Sequence, residues 1–111
     1  MLPSSSIRRK FLAKGTSCIT DEHIWKQMVY KVLTKLEKIS PVTDQHYLVM
    51  RYVREYYLKK NRAPSVKEIC TLTGFSMAEF FALFPDWPHT LFNLDCIVCT
   101  VLGLPYWNFE I

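Results

Sequence analysis

The chain has no apolar run near the roughly 18 residues that a bilayer span requires, because Asp95 interrupts the longest candidate. A membrane-spanning protein is therefore not expected. No signal-like apolar run follows the basic triplet Arg8-Arg9-Lys10, so the four cysteines, Cys18, Cys70, Cys96 and Cys99, are read as thiols of a reducing cytoplasm and not as a disulfide framework. The three glycines build no phosphate-cradling loop. No carboxylates are paired at an interpretable spacing, no Ser-His-Asp ordering stands out, and neither a repeat nor a convincing strand pair is present. Acidic residues are missing before Asp21, yet the basic ones form no single block: they scatter through residues 8–14, 26–38 and 51–67 and leave a modest net charge of +4. That balance suits an acidic partner surface or solubility alone.

What is present is apolar and aromatic. Half of the 111 residues are hydrophobic, and three Trp, six Tyr and seven Phe offer large areas to bury. One domain with an unstapled core follows.

Residues 1–19, with Pro3, the run Ser4 to Ser6, the basic triplet and Gly15, read as an N-terminal arm or a short β-hairpin around Gly15. From Thr20, a plausible N-cap, Trp25, Met28, Val29, Val32, Leu36 and Ile39 recur at helical spacing, while Lys26, Lys31, Lys35 and Lys38 fall off that stripe as a solvated cationic face. Ser40 and Pro41 end this run. Thr43 caps a second helix with His46 at N3 and Tyr47, Met50, Val53 and Tyr57 on its apolar side. Pro64 breaks it. Ser65 and Glu68, then Ser76 and Glu79, form two Ser-x-x-Glu capping boxes opening short helices separated by Gly74. A last helix runs from about His89 to Leu102, with Gly103 and Pro105 as its stop. The fold class is mainly α: a small orthogonal helical bundle with an extended C-terminal arm.

The pair of capped helices around Gly74 has the outline of a helix-turn-helix. Its second helix offers Glu79 as its one charge and no Arg, Lys, Asn or Gln for bases and phosphates, so packing outweighs nucleic-acid reading. Cys96 and Cys99 make a Cys-x-x-Cys, but no second paired spacing completes a zinc site, and no metal or cofactor is expected. Late in a helix the dipole does not favour their thiolates, and at i, i+3 their Cβ atoms stand about 5–6 Å apart, wider than a disulfide's roughly 4 Å. His46 is read as packed or solvated in preference to a general base.

Taken in order, Thr43-Asp44-Gln45-His46-Tyr47, Arg54-Glu55-Tyr56-Tyr57, Ala63-Pro64, Leu83-Phe84-Pro85 and Cys99 followed by Gly103-Leu104-Pro105 resemble the DsrC/TusE sulfur-relay family, also called the dissimilatory sulfite reductase gamma-subunit family. The resemblance covers residues 20–111. It implies a helical domain over 20–105, a C-terminal arm over 106–111, and partners among sulfur-transfer proteins or a sulfite reductase. In that family a cysteine of the arm carries sulfur, and some members have a second one before Gly-Leu-Pro. Cys99 matches the second, and is the thiol the resemblance offers for sulfur exchange. Counting on from Pro105, Glu110 occupies the position of the first, which implies a non-standard or regulatory member whose Tyr106, Trp107 and Glu110 contact the partner. A helix-turn-helix DNA-binding regulator and a non-catalytic protein–protein adaptor stand as alternatives.

Overall fold

Ile7 and Phe11 lie one turn apart, with Leu12 beside them, and in a computed structural model describing residues 3–87 and 89–103 they form one face of a helix, α1 (Pro3–Leu12). Phe11 is fully buried, and α1 packs on the last helix of the chain. The hairpin expected around Gly15 is thus replaced by a turn between two helices, Gly15 taking the left-handed conformation before α2 (Ser17–Thr20). The reason is tertiary. Three apolar side chains among serines and cations make a weak local pattern, and it is their burial, on the order of 2 kcal/mol for a Phe, that favours the helix.

The third helix, α3 (Glu22–Lys31), is capped by Asp21 and not by Thr20: the Asp21 carboxylate accepts from the His23 and Ile24 amides at 2.9 and 3.1 Å, while the Thr20 hydroxyl donates back to the Thr16 carbonyl. Trp25, Met28 and Val29 enter the core as their spacing implies. After Lys31 the backbone widens into a π-helical turn, Val32–Leu36, whose Val32 and Leu33 are buried where the turn meets α1 and the last helix. Lys38 in the left-handed region completes the stop, so the helix closes earlier than the apolar stripe to Ile39 suggested.

The longest helix, α4 (Asp44–Lys60), buries Val49, Met50, Val53 and Tyr57 and ends at Asn61 in the left-handed conformation. Both capping boxes appear as read. Ser65 with Glu68 opens α5 (Val66–Thr73), Gly74 closes it with φ of 81°, and Ser76 with Glu79 opens α6 (Met77–Leu83). Trp87 then stands edge to face against Phe80 and Phe84, with centroids 5.1 and 5.6 Å away, while the two Phe rings are tilted at 35° to each other. The closing helix, α7 (His89–Leu102), sends Leu91, Leu94, Ile97 and Val98 inward and ends at Gly103 in the left-handed region. The mainly α architecture is the one expected, with no β-strand among the described residues. No helix is long and apolar enough to cross a membrane among them.

Candidate functional site

The residues that carry the resemblance do their work inside the fold. His46 sits in the first turn of α4, where its Nδ1 accepts the Thr43 backbone N–H at 3.1 Å; its Nε2 then donates to the Leu83 carbonyl at the end of α6, 3.0 Å away. These two bonds fix the neutral Nε2–H tautomer. The ring stands edge-on to Phe84, and burial holds its basicity below the usual histidine value, with the Leu83 bond opposing in part. A general base is not what this geometry makes. His46 is a tie between two helices.

Arg54 has an equally structural place. It follows Tyr47 and Met50 on the inward side of α4, and its guanidinium donates to the Ile19 and Thr20 carbonyls at 2.6 and 2.9 Å, closing the open end of α2. At the far end of α4, Tyr56 donates to Glu68, Arg62 reaches Glu68 at 3.2 Å, and the Arg62 guanidinium lies 4.8 Å over the Tyr56 ring. Glu68 also accepts the Ser65 amide, so one carboxylate serves the α5 cap and the α4–α5 junction together. The sequence marked Arg54 as part of a motif but not as a tie to α2. The signal for Arg54 was a cation on an apolar stripe, which demands a partner.

Cys99 lies in the last turn of α7 and is only 2% exposed; Cys96, 7% exposed, stands one turn earlier with its thiol donating to the Asn93 carbonyl at 3.2 Å. The two form no disulfide. Cys18 is buried as well, and burial pushes its thiol up to about 11. Cys70 alone among the four thiols is partly exposed, with its sulfur 3.8 Å from that of Met77. The last turn of α7 carries the negative end of the helix dipole, which does not favour a thiolate there. No group of three His, Cys, Asp or Glu side chains that could hold a metal exists among the described residues. Tyr106, Trp107 and Glu110 lie outside the described residues.

α5 and α6 follow one another across the Gly74 turn, and the surface of α6 presents Met77, 53% exposed, and Phe81, 37% exposed, beside Glu79. That face carries no donor for a base edge or phosphate.

A family model for DsrC-like proteins matches residues 8–105, nearly the whole described fold. The chain belongs to the DsrC-like family. Among the curated relatives of this DsrC-like protein is the dissimilatory-type sulfite reductase subunit gamma of Nitratidesulfovibrio vulgaris, 32% identical over 69 residues. The aligned part is 62% of this chain and 60% of that protein, so less than two thirds of the relative's length is spanned. No solved structure gives a significant match. Within this fold, His46, Arg54, Tyr56 and Glu68 tie α6, α2 and α5 to α4.

Proposed function

We propose that this DsrC-like protein takes part in sulfur trafficking, docking on a sulfite reductase or on another protein of a sulfur-transfer chain. The observation that carries this reading is the family match over residues 8–105, supported by a curated relative named as a sulfite reductase subunit. Within it we assign the chain as a non-standard member. Glu110 stands at the position that counting on from Pro105 gives to the sulfur-carrying cysteine, and Tyr106, Trp107 and Glu110 supply the docking contact.

Cys99 is the thiol assigned to exchange. As a thiolate it attacks the outer sulfur of a partner persulfide, R–S–SH: the S–S bond breaks, a Cys99 persulfide forms, and the partner leaves as R–S⁻ with no net oxidation. At 2% exposure the sulfur is reached only when the end of α7 moves. The same burial favours a second reading, a non-catalytic adaptor that docks without exchanging sulfur.

Intact-mass measurement after incubation with a persulfide donor separates the two. A gain of about 32 Da, one sulfur atom, that disappears in Cys99→Ser is the expected result. A gain that persists in Cys99→Ser moves the chemistry to another thiol, and no gain in either protein leaves the adaptor.

A further inference from the structure

The lysines of α3 were expected to form a solvated face, yet three of the surface hollows of the molecule run along them. A shallow cavity of about 50 Å³ lies between α3 and α4, lined by Trp25, Lys26, Tyr47 and Arg51. It shares Lys26 and Tyr47 with one of about 290 Å³ that reaches Tyr30, Lys31 and Lys10, and this in turn shares Lys10 and Lys31 with one of about 320 Å³ beside α1 and Lys35. The three make a continuous trough across α1, α3, the π-helical turn and α4. Lys26, Tyr30, Tyr47 and Arg51 meet there because each pair is spaced i, i+4 on its own helix.

Its chemistry is one-sided. Lys10, Lys26, Lys31, Lys35 and Arg51 form no ion pair among the described residues, and Glu22 is the one carboxylate among those lining the trough. Trp25, in the wall of the inner cavity, has an indole N–H with no acceptor among them. Between the cations lie apolar surfaces, the half-exposed Tyr30 ring, Ile7, and the Tyr47 ring that Lys26 covers at 4.8 Å. Five unpaired cations gathered in a hollow repel one another, and an occupant that carries negative charge relieves that repulsion.

We propose that this trough docks an acidic segment of a partner protein, an extended peptide whose Asp or Glu side chains pair with Lys10, Lys26, Lys31 and Arg51 while its apolar side chains lie on Tyr30 and Ile7. A peptide fits better than nucleic acid. The Tyr47 face is occupied by Lys26 and offers no free face to a stacking base, and the cations are spread over α1, α3, the π-helical turn and α4 rather than set along one projecting element that a duplex groove admits. This inference concerns docking and stands independently of sulfur exchange at Cys99.

Fluorescence anisotropy of the full chain with a labelled decapeptide alternating Glu and Leu tests it, with the Gln-for-Glu peptide, an oligo-dT of similar length and phosphatidylserine vesicles as competing probes. The acidic peptide is expected to bind, to weaken as salt shortens the screening length, and to lose at least about tenfold in affinity in the Lys26→Glu, Lys31→Glu double variant. A Lys59→Glu, Lys60→Glu variant at the end of α4, outside the trough, is expected to bind within about twofold of the original chain. Circular dichroism melts of both variants establish that they are folded. Equal binding of the Gln peptide, equal loss in both double variants, tighter binding of oligo-dT or vesicles, or no binding at low salt overturns the proposal.

Discussion

His46 shows how much one side chain decides. Burial disfavours the charged ring, with the Leu83 bond opposing in part, so the folded state favours the neutral form whose Nδ1 accepts the Thr43 amide and its basicity falls below the ordinary value near 6.5. The sign follows: with the folded value lowered, the unfolded chain binds more protons, and the stability due to His46 is full above about pH 6.5 and lost as pH falls through the folded value. Glu37 has the opposite slope. Burial raises its carboxyl, which accepts the Thr90 hydroxyl, and its contribution is present below about pH 4.5 and lost as pH rises through the folded value. The contrast with His46→Gln therefore isolates the histidine. Glutamine at N3 keeps an acceptor for the Thr43 amide but gives up the bond to Leu83, so it is expected to cost about 1 kcal/mol at pH 7.5. That gap should narrow toward pH 5 in urea titrations. A gap independent of pH would mean that the ring does not titrate differently on folding.

At the scale of elements, the junction between α4 and α5 rests on Glu68, which accepts from Ser65, Tyr56 and Arg62 at once. Glu68→Ala removes the cap and leaves the Tyr56 hydroxyl and Arg62 without their acceptor, and is expected to lower stability by about 2 kcal/mol. Glu79→Ala, at the corresponding place in α6, loses only an exposed capping bond and should cost clearly less. Equal losses in thermal melts would remove the network from the account. The contrast also marks where sequence was legible. Both Ser-x-x-Glu boxes and the Gly74 stop were readable because capping involves residues three or four apart. Helix α1 was not, since Ile7 and Phe11 become a helical face only once α7 lies opposite them. The π-helical turn was hidden for a similar reason: Val32 and Leu36 keep an α-helical spacing in the chain, while the wider turn appears where Val32 and Leu33 meet α1 and α7. Of the candidate site, Cys99 was found by family motif, but its burial depends on long-range packing that no local pattern encodes.

Across the whole molecule, the reach of Cys99 depends on helices far from it in sequence. α7 is clasped by α1 and the π-helical turn, and Phe11 is the fully buried side chain that α1 contributes. In the native protein an alkylating agent should therefore label Cys70 first, as the one partly exposed thiol, and Cys70→Ser should abolish that fast phase. Cys18, Cys96 and Cys99 should label slowly, through opening of the structure, and all should label at once in denaturant. Phe11→Leu trims the clasp without emptying it, at a cost of about 1 kcal/mol. Where labelling follows the opening equilibrium, that loss should speed modification of Cys99 about fivefold, while Cys70, which needs no opening, keeps its rate. Peptide mapping after timed alkylation reads both sites in one experiment. Rapid labelling of Cys99 in the unaltered protein would show that its sulfur is already open to a donor, and an unchanged Cys99 rate in Phe11→Leu would show that α1 does not govern access to it.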